Sequence, residues 1–303
     1  MAAIPDLRIG IDLGGTKIAL IAFDPDERVA FEKRVATPRE DYAGTVEAIA
    51  ALVAEAEATT GKRGTVGIGM PGSISPVDGK VQNGNSTWLN DQPFGRDLEA
   101  ALGREVRLAN DADCLALSEN YDGAAAGAAS SFAIILGTGC GAGVVINGHL
   151  LAGPNAIAGE WGHNPLPWPK PDEMPGQKCW CGKHGCLETW VAGPSFAADH
   201  FRVTGEKLDA ATIIARAPAD RQAQATLDRH LDRLGRAVAA IVNILDPHVI
   251  VLAGGLSNMP GLDQRLPGAV LPWVFARLPR VTVRKAVHGD ASGVRGAARL
   301  WND

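Results

Sequence analysis

Hydrophobic and polar positions sort the start of the chain into short β-rich runs. Arg8-Ile-Gly-Ile-Asp12 enters a Gly/Thr turn, and Ile18-Ala-Leu-Ile-Ala-Phe-Asp24 leaves it. Two such runs joined by a glycine-bearing turn predict a hairpin. The same plan returns about half the chain later, where Phe132-Ala-Ile-Ile-Leu136 and Val144-Val-Ile-Asn147 flank Gly137-Thr-Gly-Cys-Gly141. Between the two, Val46, Ile49, Val53 and Ala56 follow the helical period and predict a helix over residues 42–59. A strand over 65–69 runs into the turn Met70-Pro-Gly-Ser73, and a second over 106–109 ends at Asn110-Asp111 before a helix through Leu115 and Leu117. Leu227, Leu231, Leu234, Val238, Ile241 and Leu245 mark a long amphipathic helix that stops at Asp246-Pro247. The run Val249-Ile-Val-Leu252 then meets Gly254-Gly255, while the Pro-rich stretch 165–176 has no period and reads as a loop. No low-complexity tract separates the halves, so the pattern predicts two α/β domains of similar plan joined by a tight hinge.

Composition narrows the partners. With 303 residues, 46% hydrophobic and 21% charged, the chain is an ordinary globular one, and its net charge of −5 without a basic run argues against nucleic acid. No apolar stretch reaches the roughly 20 residues that span a bilayer, and residues 1–8 lack the n-region and apolar core of a signal peptide, so a cytoplasmic protein without membrane contact is expected. The five cysteines are an odd number, and three crowd into Cys179, Cys181 and Cys186, which in a reducing compartment reads as metal binding or redox chemistry.

Asp12-Leu-Gly14-Gly15-Thr16-Lys17 places two glycines, a hydroxyl and a cation at a strand-to-strand turn, where backbone N–H groups can approach an anion. Gly137-Thr138-Gly139 repeats the device, and Gly254-Gly255 adds a third glycine pair after an apolar strand. None has Walker spacing, and the second lacks the following helix of a dinucleotide fingerprint. Any one such turn is equally well explained by hairpin chemistry. Taken together they resemble the phosphate and adenosine segments of the actin-like ATPase superfamily, which includes hexokinase, the heat-shock chaperones and actin. That resemblance implies a ribonuclease H-like, two-domain α/β fold with a nucleotide in the cleft between domains, and Asp12 organising Mg2+ near the phosphates.

Asn110 and Asp111 suit a helix cap, and also a carboxylate that takes the proton from an attacking hydroxyl; Asp113 projects from a different face of the helix. Glu160 and Glu188 could each accept two sugar hydroxyls, although lone glutamates are usually solvated surface. Cys179-x-Cys181-x4-Cys186 offers three thiolates on a glycine-bearing loop, for which His163 and His184 compete as a fourth zinc ligand.

These motifs together resemble the ROK family (repressor, open reading frame, kinase) over essentially the whole chain: Asp12 to Lys17, Asn110-Asp111, residues 135–143, Glu160-x-Gly-His163 and Cys-x-Cys-Gly-x-x-Gly-Cys186-x-Glu188. The resemblance implies an ATP-dependent, Mg2+-requiring hexose kinase. In it Asp111 is the catalytic base, and Asn110, Asp111, Glu160, His163 and Glu188 bind sugar. ATP meets Asp12, Gly14, Gly15, Thr16, Lys17, Gly137, Thr138, Gly139, Gly254 and Gly255, and structural Zn2+ is held by His163, Cys179, Cys181 and Cys186. A homodimer is implied as well. The expected domains are residues 1–115, completed by 290–303, and a larger zinc-bearing domain over 116–289.

Residues 83–90 and 162–168 most resemble bacterial fructokinases that also accept mannose, which makes conversion of fructose to fructose 6-phosphate the expected reaction. Residues 254–258 and 287–290 resemble the N-acetylglucosamine kinases as much, and that activity or a glucokinase is the alternative within the family. From another class, a sugar-sensing transcriptional repressor would need a helix-turn-helix ahead of the first strand, which already begins by Leu7; a kinase is expected instead.

Overall fold

A computed structural model describes residues 5–302; the outer ends of the expected domain bounds and the first part of the leader reading, residues 1–4 and 303, lie outside them. Contacts divide the chain into two units, residues 1–126, 143–158 and 287–303 in the first and 127–142 and 159–286 in the second. Residues 116–126, 143–158 and 287–289, which a division in chain order gives to the second domain, thus cluster with the first.

The first unit opens with β1 (Arg8–Leu13), β2 (Lys17–Phe23) and β3 (Val29–Ala36), followed by α1 (Tyr42–Thr60) and β4 (Thr65–Met70). A small ribbon of β5 (Ser73–Ile74) and β6 (Val81–Gln82), then α2 (Phe94–Leu102), leads to β7 (Arg107–Asn110) and α3 (Asp111–Tyr121). Strand order in the sheet is β3-β2-β1-β4-β7. The β1–β2 and β2–β3 pairs are antiparallel, whereas β1–β4 and β4–β7 run parallel. Helix boundaries follow local chemistry. Asp41 caps α1 by accepting from Gly44 N–H, and Gly61 ends it in the left-handed conformation at φ 65°.

Strands β8 (Ser130–Leu136), β9 (Cys140–Ile146), β10 (His149–Leu150), β11 (Val249–Ala253) and β12 (Val283–Lys285) form a second five-stranded sheet, ordered β10-β9-β8-β11-β12. Of these, β8, β11 and β12 belong to the second unit and β10 to the first, and the division falls within β9. The helices of the second unit are α4 (Glu188–Val191), α5 (Gly193–Thr204), α6 (Ala210–Arg216), α7 (Arg221–Leu245) and α8 (Leu262–Val270). Asp220 caps α7, and Asp246 ends it at φ 46° ahead of Pro247, where the sequence predicts the stop. Residues 165–176 contain no helix or strand beyond the 3-10 turn Pro171–Glu173 and an isolated bridge from Pro165 to Cys186.

The last helix, α9 (Ser292–Arg299), returns to the first unit. Side chains alternate across a strand, so β1 and β2 present two faces. Ile9, Ile11, Leu13, Ile18 and Leu20 join Ile49, Leu52 and Val53 of α1 and Phe94 of α2 in one core. On the other face Ala19, Ile21 and Phe23 pack against Val294 and Ala298 of α9. Gly10 and Gly67 are paired across β1 and β4, and each lies under α9. A Cβ at Gly10 would stand 2.1 Å from the Val294 carbonyl oxygen, and one at Gly67 would stand 1.9 Å from that of Ala297. On the side of α9 toward α3, a Cβ at Gly296 would come 1.7 Å from the Cys114 carbonyl oxygen. Backbone therefore meets backbone on both sides of α9.

Gly67→Ala is expected to destabilise the protein by about 3 kcal/mol, because the clash is with a carbonyl rather than a flexible side chain. Gly268→Ala in α8, where nothing lies within 4 Å of the added Cβ, should instead stabilise by about 0.5–1 kcal/mol. Urea midpoints of the two variants check the contrast.

Candidate active site

The parallel strands of the first unit end together. Asp12 pairs with Gly69, Gly69 with Ala109, and Met70 with Asn110. Asp12 and the Asn110-Asp111 pair are therefore at one edge of the sheet, two strands and roughly 10 Å apart. Carboxyl ends of parallel strands are where open α/β sheets bind ligands. Asn110 is the N-cap of α3, its Oδ1 accepting from Ala112 N–H at 2.9 Å and its amide donating to the Gly72 carbonyl at 3.1 Å. The capping role thus falls to Asn110, and Asp111, the first residue of the helix, is exposed.

The β1–β2 turn is closed by Gly14 N–H donating to the Lys17 carbonyl at 3.0 Å and tied to β3 by the Thr37 hydroxyl on the Gly14 carbonyl at 2.7 Å, which leaves Gly15, Thr16 and Lys17 exposed. Burial raises the Asp12 carboxyl above its ordinary value, and neighbouring Asp290 adds to the rise while Lys17 and Arg34 oppose it. A carboxylate in such surroundings is better satisfied by a cation than by water. A further cavity of the first unit, about 270 Å³, touches Asn110 and Asp113.

In the second unit, Gly137 and Thr138 line a cavity of about 660 Å³ together with Gly255, Leu256, Gly193, Pro194, Ala211 and Ile214. Its apolar wall and backbone-rich mouth suit a purine and its ribose, and the volume is that of a small-molecule site. Gly254 has φ 81°, and a Cβ there would stand 2.5 Å from the Leu136 carbonyl oxygen, so the Gly254-Gly255 turn requires glycine at its first position.

Glu160, His163 and Glu188 gather beside the cysteine loop. The 3-10 turn Trp161–His163 rests on the start of β9: a Cβ at Gly162 would be 2.0 Å from the Cys140 carbonyl oxygen, and the Trp161 indole N–H donates to the Gly141 carbonyl at 3.3 Å. His163 then divides its ring. Nδ1 lies 3.6 Å from Cys179 Sγ, and Nε2 lies 4.0 Å from a Glu160 carboxylate oxygen. Partial burial raises the Glu160 carboxyl, His163 lowers it, and Glu188 raises it again. The Glu188 carboxylate is fixed from two sides, by Cys140 N–H at 3.0 Å on Oε2 and by the Trp180 indole N–H at 2.7 Å on Oε1. Gly139 makes room for it, since a Cβ there would be 2.8 Å from Oε2.

Residues 178–184 form a tight hairpin, with Cys179 N–H on the Lys183 carbonyl at 2.8 Å and Gly182 at φ 88°. Ligand atoms of His163, Cys179, Cys181 and Cys186 all lie within 4.8 Å of one another, and Cys181 Sγ is 3.6 Å from Cys186 Sγ. A Zn–S bond of about 2.3 Å gives a tetrahedron with edges of about 3.8 Å, so the donors and their spacing fit zinc. His184 is exposed and stands outside the cluster.

Two arginines of α7, fully buried, anchor the loop between these parts. Arg236 donates to both oxygens of Glu173 at 2.9 and 2.8 Å and to the Trp168 carbonyl at 2.8 Å. Arg233 donates to Glu173 at 2.9 Å, pairs with Asp199 at 3.0 Å and stacks 4.6 Å from the Trp190 ring centre. These bonds hold the Glu173 carboxyl down from an ordinary 4.5 to about 2 against the opposing effect of burial. This clamp does not stand out in the sequence, where Glu173 looks like a surface residue of a Pro-rich loop. Trp180, by contrast, lies inside the cysteine motif, which is itself a signal.

A model of the ROK family matches residues 8–303. The N-acetyl-D-glucosamine kinase of Shigella flexneri serotype 5b (strain 8401) is 43% identical over 300 residues, covering 96% of this chain and 98% of that protein. The crystal structure of a ROK hexokinase from Thermus thermophilus superposes with a TM-score of 0.85 at 35% identity over 96% of both chains. That of a ROK family glucokinase from Streptomyces griseus, in complex with glucose and AMPPNP, gives 0.76 at 29% identity over 97% of this chain and 98% of the other. The chain belongs to the ROK family, whose sugar kinases share its actin-like ATPase fold. Within that family it is a sugar kinase, with ATP and Mg2+ as the general requirements of the class.

Fructose as the preferred acceptor finds no support in these relatives, which favour the N-acetylglucosamine alternative. The segments that suggested fructose have structural work of their own. Asn90 closes the 84–90 turn by exchanging hydrogen bonds with Gly84 at 2.9 Å, and Leu89 is in the core. In the other segment Leu166 is buried, and the carbonyls of Pro167 and Trp168 accept from Arg236.

Replacing Glu173 with Gln is expected to cost about 3 kcal/mol, since it removes the anion that two buried guanidinium groups share and leaves only Asp199 and Asp232 to balance them; chemical denaturation measures it. Because the folded carboxyl titrates below its ordinary value, its contribution is complete above pH 4.5 and disappears as pH falls toward about 2. The acid limb of the stability profile should flatten in the variant.

Proposed function

We propose that this protein is an ATP-dependent kinase of N-acetyl-D-glucosamine. The observation that carries the choice of sugar is the 43% identity, sustained over 300 residues, to curated N-acetyl-D-glucosamine kinases. The chemistry follows from the residues described above. Asp111, exposed at the N-terminus of α3, accepts the proton of the attacking sugar hydroxyl, and Asn110 holds the turn that carries it. Glu160 and Glu188 each present acceptor oxygens to adjacent ring hydroxyls, and His163 joins them through its Nε2 side. Adenosine occupies the 660 Å³ cavity beside Gly137, Thr138 and Gly255, with Gly139 and Gly254 shaping its turns. The exposed turn Gly14, Gly15, Thr16 and Lys17 offers N–H groups, a hydroxyl and an ammonium to the phosphates. Asp12 suits the Mg2+ that travels with the nucleotide and neutralises its charge.

His163, Cys179, Cys181 and Cys186 would hold a structural zinc ion, which supplies a rigid tetrahedral centre and takes no part in the transfer. With Nδ1 committed to that centre, the His163 ring is fixed and Glu160 keeps its place three residues earlier.

A coupled ADP-release assay should give the highest kcat/KM with N-acetylglucosamine, ahead of glucose, mannose and fructose; a clear preference for any of the other three would overturn the assignment of substrate. Asp111→Asn should keep sugar affinity within a few-fold and lose about 10²–10⁴ in kcat, whereas near-normal turnover would remove Asp111 from its role. Metal analysis of the purified protein should find about one zinc per chain, and full activity and unchanged melting in a metal-free sample would defeat that assignment.

A further inference from the structure

Trp180 sits between two of the clustered cysteines, yet two-thirds of it is exposed (66%). Its polar edge is already committed: the indole N–H donates to Glu188 Oε1 at 2.7 Å, a short bond to a charged acceptor. Its ring meets the His163 imidazole edge to face, with centroids 4.8 Å apart and planes at 87°. The opposite oxygen of Glu188 accepts from Cys140 N–H at 3.0 Å, so the carboxylate plane is gripped at both corners while each oxygen keeps a further lone pair.

We propose that Trp180 is a positioning residue of the sugar site, holding Glu188 through its indole N–H in the orientation that reads the sugar and presenting an apolar plate beside that carboxylate for the C–H face of a pyranose. This rests on the assignment of Glu188 as a sugar ligand. Both chain neighbours of Trp180 belong to the cysteine cluster, so the hairpin fixes the backbone from which the indole reaches Glu188. A bare carboxylate would have to be ordered by the sugar itself, and that ordering cost would appear as weaker sugar binding rather than slower transfer. The alternative is that Trp180 merely completes the hairpin; it would then affect metal content and melting, and sugar binding would be untouched.

The test is Trp180→Phe, which keeps a ring and removes the N–H donor, studied with the sugar that the wild type phosphorylates best. Sugar Kd, measured by calorimetry without nucleotide, and sugar KM should both rise about ten-fold, as expected for loss of a hydrogen bond to a charged group. KM for ATP, zinc content and melting temperature should stay unchanged, and kcat at saturating sugar should stay within about three-fold. Tryptophan emission of the wild type should shift on adding sugar, and the shift should vanish in the variant. In a Glu188→Ala background, Trp180→Phe should add little to the loss of sugar affinity, because nothing remains to be positioned. Sugar affinity unchanged in Trp180→Phe, an equal effect in both backgrounds, or loss of zinc and melting temperature in the variant would each overturn the proposal. A wild type that phosphorylates no sugar would instead defeat the kinase reading, a result that the first assay alone reveals.

Discussion

Direct backbone contact across α9 is the constraint on which the first unit depends. Gly10 and Gly67, side by side on β1 and β4, open a slot with no side chains in its floor, and the carbonyls of Val294 and Ala297 fill it. Gly296 lets the other side of the same helix touch the backbone of α3. Helix α3 is confined further by Gly143, where a Cβ would stand 2.4 Å from the Ala112 carbonyl oxygen. Side-chain packing can relax when one residue changes, but a carbonyl pressed against a Cα has nowhere to move. Asp111 occupies the end of a helix whose position is set by this seam, and its placement therefore comes from glycines far away in sequence. Glu119 reinforces the arrangement from the same helix, accepting from the Ser292 hydroxyl at 2.9 Å and from the backbone N–H groups of Val287 and His288.

The second unit solves a different problem, which is to hold polar groups still within an irregular loop. Residues 159–190 contain little regular structure, so their order must come from specific polar contacts. Three sets supply it: the His163 and cysteine cluster, the pair of hydrogen bonds on Glu188, and the Glu173 clamp from α7. Buried charge pairs like the last add little net stability compared with apolar packing, but they tolerate only one geometry. That trade suits an irregular loop that must keep a single conformation.

The elements that follow from local rules were legible in the sequence. Helices α1 and α7 show their period and their stops, and the two glycine-turn hairpins announce themselves by repetition. The cysteine spacing, with His163, pointed to the cluster that the fold assembles, although spacing alone left His184 as a competitor; only the fold shows that ring turned out to solvent. What could not be read was long-range. Residues 143–158 join the first unit because Gly143 meets α3, and no local pattern encodes that meeting. The segment 83–90 suggested a sugar, yet its Asn90 builds a turn. Trp180 and Glu173 were missed for the same reason, since their partners are fixed by folding and not by neighbours in the chain.

The seam formed by α9 also dictates an order of events during synthesis. Ala19, Ile21 and Phe23 emerge from the ribosome long before the residues that cover them, Val294 and Ala298. Until α9 is made the first sheet therefore carries an uncovered apolar face, the kind of surface that chaperones bind and that aggregates at high expression. Loss of α9 alone would leave that face bare, however well the first sheet had formed.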